Sequence, residues 1–189
     1  RDDVVGQLAL RNPRIIVGSV DRPNLVYRIQ PKNNPSAQVL EIIRRHPREA
    51  AIVYCLSRKE TEKIAAELIR QKVRAAVYHA GLTNQKRTAA QNLFDREEID
   101  VVVATVAFGM GIDRSNVRCV IHVSMPKSVE QYQQETGRAG RDGLEAECVL
   151  LYSGADAHRW ERLIRMSAAE AEVGAEVIDA QIELLRHMQ

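Results

Sequence analysis

Aromatic residues are scarce in this 189-residue sequence: one Trp, two Phe and five Tyr, 4% in all. A binding platform that stacks successive bases on aromatic faces needs more of them. A dominant charge is missing too, because 27 Lys and Arg face 25 Asp and Glu and leave a formal net charge of +2. That balance excludes a uniformly basic coat, though not a local basic patch. Cysteine is limited to Cys55, Cys119 and Cys148, with no C-x-x-C and no histidine at metal-ligand spacing. They read as small buried apolar residues, and no metal site is expected. Their odd number, without a signal peptide, suggests a reducing cytoplasm. The longest apolar run, Val101 to Ile112, is interrupted by Thr105 and two glycines. It falls short of the ~18 residues that a membrane helix needs, so no membrane role is expected.

Three nucleotide-binding signatures are also absent. None of the ten glycines is followed by lysine, which excludes the P-loop that cradles phosphates with backbone amides and a lysine. No Asp-Glu dipeptide follows a strand-like run to hold Mg²⁺. Gly109-Met-Gly111 opens like a dinucleotide fingerprint, but Arg114 occupies the place of the third glycine.

What remains is an ordinary globular composition, 45% apolar and 28% charged. Apolar runs rich in Val and Ile recur at 51–55, 75–78, 101–104, 117–121 and 148–152, with helical periodicity between them. Thr61, Ile64, Ala65 and Leu68 form one such stripe. Ser57-x-x-Glu60 and Ser128-x-x-Gln131 are capping boxes, and Thr83 can cap the helix before Phe94. Strands apolar on both faces that alternate with helices predict an α/β core, a parallel sheet covered on both sides, over about residues 24–153. Before it, Asp3 to Arg11 reads as a short amphipathic helix, and Pro13, Pro23 and Pro31 mark a linker carrying one or two edge strands. After it, Ser167-x-x-Glu170 is a further capping box, expected to open a helix with Val173, Val177, Ile178, Ile182 and Leu185 on its apolar face. So wide an apolar face at the end of the sequence implies a neighbour beyond it. The opening Arg1-Asp2-Asp3, without Met, is likewise expected of a piece of a longer protein.

The sharpest chemical signal is Gln134-Glu-Thr-Gly-Arg138-Ala-Gly-Arg141-Asp-Gly143. Glycine lets the backbone approach a ligand closely, and guanidinium forks match phosphate oxygens. Arg138 and Arg141 therefore read as candidates for stabilising a transferring γ-phosphoryl group, or as solvated arginines of a surface turn. Arginines fit for a phosphate, in a chain with nothing to hold one, suggest a finger supplied to a neighbouring domain. Three further stretches fall at strand C-termini, where open α/β sheets bind ligands. Ser57 and Arg58 suit a nucleic-acid phosphate at a helix N-terminus. His79, followed by Gly81, either donates to a phosphate or is a core histidine. Thr105, Gly109, Gly111 and Asp113 combine a hydroxyl, close-approach glycines and one carboxylate. Asp113 serves either the turn or a ribose hydroxyl.

Arg22-Pro-Asn24, Tyr54-Cys-Leu-Ser57, Tyr78-His-Ala-Gly-Leu82, the stretch from Ala104 to Asp113, and that from Gln134 to Gly143 resemble the C-terminal helicase motifs of the RecQ family of DNA helicases. The resemblance covers essentially the whole sequence, and its last two stretches are its most specific. DEAD-box RNA helicases would show His-Arg-x-Gly-Arg where this chain has Gln134-Glu-Thr-Gly-Arg138. The resemblance implies one motor half of an ATP-dependent, 3′-to-5′ DNA helicase, with the second of two RecA-like domains at residues 23–153. Residues 1–22 would close the preceding domain, and 154–189 would lead towards a zinc-binding domain. ATP with Mg²⁺ would be bound mainly by the first RecA-like domain of the same protein. Arg138 and Arg141 would reach its γ-phosphate, with Arg141 favoured. Gln134 would couple to the nucleotide state, and Asp113, with Gly109 and Gly111 beside it, would approach the ribose. Ser57, Arg58, His79, Gly81 and Thr105 would hold single-stranded DNA, with duplex junctions as the wider partner. Zn²⁺ is implied only for a longer protein, because no cysteine follows Cys148. Val20 departs from the family's usual Phe. Competing readings are a nucleic-acid-binding module that works without ATP, and a translocase that does not unwind.

Overall fold

The computed structural model describes residues 7–9, 11, 14, 21–105, 108, 114–170 and 175–186. Six strands are joined mostly by helices: β1 (Leu25–Pro31), α1 (Pro35–Arg45), β2 (Ala50–Tyr54), α2 (Arg58–Arg70), β3 (Ala75–Tyr78), α3 (Asn84–Asp95), β4 (Val101–Ala104), β5 (Val117–His122), α4 (Val129–Thr136), β6 (Ala146–Tyr152), α5 (Ala155–Glu170) and α6 (Ala175–Arg186). The strands form one sheet in the order β1-β6-β5-β2-β4-β3, with every pairing parallel. The α/β expectation is met.

The central strands are buried along their whole length, as a sheet covered on both faces requires. Alternation along β2 separates the two cores. Ala51, Val53 and Cys55 pack with Val39, Ile42 and Ile43 of α1 and with Ile64, Ala65 and Leu68 of α2. Ala50, Ile52 and Tyr54 face the other way, towards Phe94 of α3, Phe108 and Ala139. All three cysteines are buried and free. Burial pushes their thiols up, that of Cys148 to about 12, so they are packing groups.

Local signals in the sequence explain most helix starts. The side-chain oxygens of Ser57, Thr83 and Ser128 accept from the backbone amides of Glu60, Lys86 and Gln131. The proline-marked stretch supplies one edge strand, β1, and Pro31 stands at its end, where a missing donor costs least. Arg114, which breaks the dinucleotide fingerprint, has a structural task. It donates to the carbonyls of Phe94 and Ile99 at 2.8 and 3.0 Å and lies over the Phe94 ring.

One expectation needs correction. Ser167–Glu170 form the last turn of α5, so that capping box starts no helix. A cap requires a non-helical residue, and here the helix runs straight through the serine. On α6, the described part of the apolar face packs inward. Ile182 and Leu185 are buried with Met125, Ala157 and Ile164, and Ile178 packs against the same cluster. Val173 and the greater part of the 3–11 stretch lie outside the described residues.

Candidate nucleotide and nucleic-acid interface

The loop after α4 carries both arginines, and it is held by residues more than a hundred positions earlier. Gly137 ends α4, and Gly140 takes a left-handed φ of +56°. A Cβ at Gly140 would stand 2.5 Å from Asn24 Nδ2 and 2.7 Å from the Leu144 carbonyl, so the turn needs glycine. Arg22 donates to the carbonyls of Ala139 and Gly140 at 2.9 and 2.7 Å, and Asn24 to those of Gly140 and Leu144 at 2.9 Å each. From β5, Arg118 pairs with Asp142 and donates to the Glu145 carbonyl. The hydrogen bond from Arg118 holds the Asp142 carboxyl below its ordinary range. Gly140→Ala should therefore cost about 2–4 kcal/mol in urea unfolding, from left-handed strain plus the displaced Asn24 hydrogen bonds. A cost below ~0.5 kcal/mol would show the turn to be permissive.

This clamp separates the fates of the two arginines. Arg141 is exposed, as is Gln134 on α4, whereas Arg138 is half-buried. The Arg138 guanidinium lies beside the hydroxyl of Tyr54. That hydroxyl donates to the Phe108 carbonyl at 3.1 Å, and burial pushes its pKa up despite the pull of the arginine. The Tyr54 ring stacks on His122 at 5.1 Å. His122 Nε2 lies 2.6 Å from Glu135, whose other oxygen accepts from Gln131. Tyr54 thus touches the end of β2, the segment after β4 and the loop after α4.

A second cluster forms at the C-terminal ends of the adjacent strands β2, β4 and β3. Ser57 and Arg58, both exposed, open α2. His79 is only 3% exposed, with Nε2 3.2 Å from Glu62 and Nδ1 buried without a hydrogen-bond partner. At Gly81 a Cβ would meet Arg58 Cδ and an Arg58 guanidinium nitrogen at 3.1 Å and His79 Nδ1 at 3.2 Å. Arg58, His79 and Gly81 therefore converge, and the glycine leaves room beside a guanidinium and a buried ring nitrogen. Thr105, half-buried, donates its amide to the Tyr78 carbonyl at the end of β3. Gly109, Gly111 and Asp113 lie outside the described residues.

Sequence reasoning assigned no role to Tyr54, His122 or Glu135, and quoted Arg22 and Asn24 only as part of a motif. Among the described residues, His46, Cys119 and Glu147 bring candidate metal-ligating atoms within 4.8 Å of one another. Arg28, Arg45 and His46 already surround that carboxylate at 2.8–2.9 Å, which makes it an ion-pair network. Burial opposes its charge, but the His46 and Arg45 hydrogen bonds outweigh burial and keep Glu147 below the ordinary range. No helix among the described residues is long and apolar enough to cross a membrane.

Residues 34–143 match the helicase conserved C-terminal domain. The chain is 44% identical over 171 residues to the ATP-dependent DNA helicase RecQ of Pasteurella multocida, which covers 90% of this chain and 27% of that protein. It is 43% identical over 169 residues to the Bacillus subtilis protein of the same name, covering 89% of this chain and 29% of that one. The chain thus spans little more than a quarter of the length of these RecQ proteins. Among solved structures, domain 2 of the DEAD-box helicase Mss116p superposes with a TM-score of 0.59 at 24% identity, over 73% of this chain and 57% of that one. The Pyrococcus furiosus Hef helicase domain superposes with 0.54 at 25% identity, over 68% of this chain and 28% of that one.

Proposed function

The chain belongs to the helicase conserved C-terminal domain family, in the form that RecQ-type DNA helicases carry, and on that footing we propose that it is the second motor half of an ATP-dependent 3′-to-5′ DNA helicase. The observation that carries the reading is the pairing of two features on one rigid sheet. One is the clamped loop with Arg141 exposed. The other is the cluster of Ser57, Arg58, His79, Gly81 and Thr105 at neighbouring strand ends.

ATP with Mg²⁺ would be bound mainly by a preceding RecA-like domain. In this half, Arg141, Arg138 and Gln134 would face the phosphates, and Gly109, Gly111 and Asp113 the ribose. The exposed guanidinium suits that role, since its planar fork matches phosphoryl oxygens and keeps its charge. The strand-end cluster would hold single-stranded DNA through its phosphates, which positions the strand without reading its sequence. Tyr54 reaches from the arginine loop towards the strand-end cluster, because its hydroxyl lies beside Arg138 and donates to the carbonyl of Phe108, whose own amide donates to the Thr105 carbonyl. Closing the cleft over ATP would move the loop, and the rigid sheet would carry the grip with it.

The test is strand displacement by the full-length protein on a duplex with a 3′ tail. ATP-dependent unwinding is expected with a 3′ tail and not with a 5′ tail. Hydrolysis with translocation but no displacement would favour a non-unwinding translocase. Binding with no DNA-stimulated hydrolysis would favour a nucleic-acid-binding module and overturn the motor reading.

A further inference from the structure

A groove of about 640 Å³ runs between the start of α2 and the outer face of α5. Ser57, Lys59 and Lys63 line one wall, and Arg162, Leu163 and Met166 the other. A second hollow of about 450 Å³, bordered by His158 and Arg165, continues it past Arg162 and Met166. Among the described residues, Lys59, Lys63 and Arg162 are exposed and form no ion pair or side-chain hydrogen bond, whereas Arg165 beside them pairs with Glu161. The carboxylates nearby do not balance them. Asp156 is fully buried against Lys32, and Glu161 is held by Arg165, which leaves Glu60 as the groove's own acidic group. Between the cations, Leu163 and Met166 stay 42% and 52% exposed.

Cations on both walls beside an apolar strip match a chain of phosphates bearing flat, largely apolar rings. We propose that this groove is a further binding surface for single-stranded DNA, with phosphates on Lys59, Lys63 and Arg162 and bases against Leu163 and Met166. The inference rests on the reading of the strand-end cluster as a DNA grip. The groove shares Ser57 with that cluster, so one strand can occupy both without a break. It extends the bound strand from the sheet edge onto α5, outside the residues that the helicase motifs supplied.

The experiment compares three forms of the full-length protein: wild type, Arg58→Ala, and the triple variant Lys59→Gln/Lys63→Gln/Arg162→Gln. Binding of oligo(dT) is measured by fluorescence anisotropy across a salt series. Each phosphate contact on a single strand contributes ~0.7 to the slope of log K against log salt. The triple variant should therefore lose about 2 from the slope and about a hundredfold in affinity near 0.1 M salt. If Arg58→Ala weakens binding but the triple variant keeps the wild-type slope, the groove proposal is overturned and the strand-end grip stands. If neither variant changes binding, both readings fail. A wild-type slope with a lowered melting temperature would mean that another part of the protein covers the groove, which also overturns the proposal. As a check independent of charge, a photo-crosslinking amino acid at Leu163 should capture the oligonucleotide, and absence of any adduct counts against the site.

Discussion

Arg141→Ala in the full-length protein should lower DNA-stimulated ATP turnover by ~10³-fold or more, with single-strand binding close to wild type. The magnitude is that of a finger that stabilises charge on the transferring phosphoryl group. Structure makes the prediction specific, because the backbone of the loop that presents Arg141 is held by other side chains. Arg22, Asn24 and Arg118 fix the backbone, and the left-handed Gly140 sets the turn. The turn itself should therefore survive Arg141→Ala. Arg138→Ala should behave differently and lose stability along with turnover, since its guanidinium is half-buried beside Tyr54. Arg141→Lys should recover little, because an ammonium keeps the charge but not the bidentate fork. Turnover by Arg141→Ala above a tenth of wild type would refute the assignment.

The largest expected loss of stability is at Asp156. Its side chain is fully buried, 2.5 Å from a Lys32 side chain that is itself only 9% exposed. Its other oxygen accepts from the Met125 amide, and Lys32 also donates to Ser124. The pair ties the end of β1 to the start of α5 and to the segment after β5. Asp156→Ala would strand a buried ammonium, which costs about 3–5 kcal/mol. Asp156→Asn should cost less, since an amide oxygen still accepts. The double variant Lys32→Met/Asp156→Leu should recover most of the loss, because the penalty lies in the orphaned charge. Urea unfolding of the three variants measures this. A loss under ~1 kcal/mol for Asp156→Ala would mean that water reaches Lys32.

What could be read from the sequence follows the range of the interactions involved. The caps at Ser57, Thr83 and Ser128 close within three residues, so a three-residue pattern finds them. The central strands announce themselves because both faces are buried. Ser167 misleads for the same reason: its pattern is local, and whether a helix already runs through it is decided upstream in α5. The clamp on the loop after α4 was illegible, since Arg22 and Asn24 act across more than a hundred residues. Their donors meet carbonyls, which carry no signature in the sequence. The buried contact of Glu135 with His122 likewise depends on how α4 lies across the end of β5. Ser57, Arg58, His79 and Gly81 were legible as candidates because strand C-termini gather ligand-binding residues. Their convergence needed the strand order β2-β4-β3, which no local pattern supplies.

The pairing of β1 with β6 sets an order of assembly. Leu25 aligns with Ala146 and Pro31 with Tyr152, so among the described residues the first strand of the sheet bonds only to the last. On the ribosome, β2, β3 and β4 have emerged long before β6, while β1 must wait with its backbone pairing unmade and Leu25 uncovered. Such long-range closure slows folding far more than it weakens the finished state. The same closure brings Arg22 and Asn24 onto the loop that carries Arg141. A nascent or truncated chain that lacks β6 would therefore have no shaped arginine loop, and the element proposed to act on the nucleotide would be among the last parts of the domain to form.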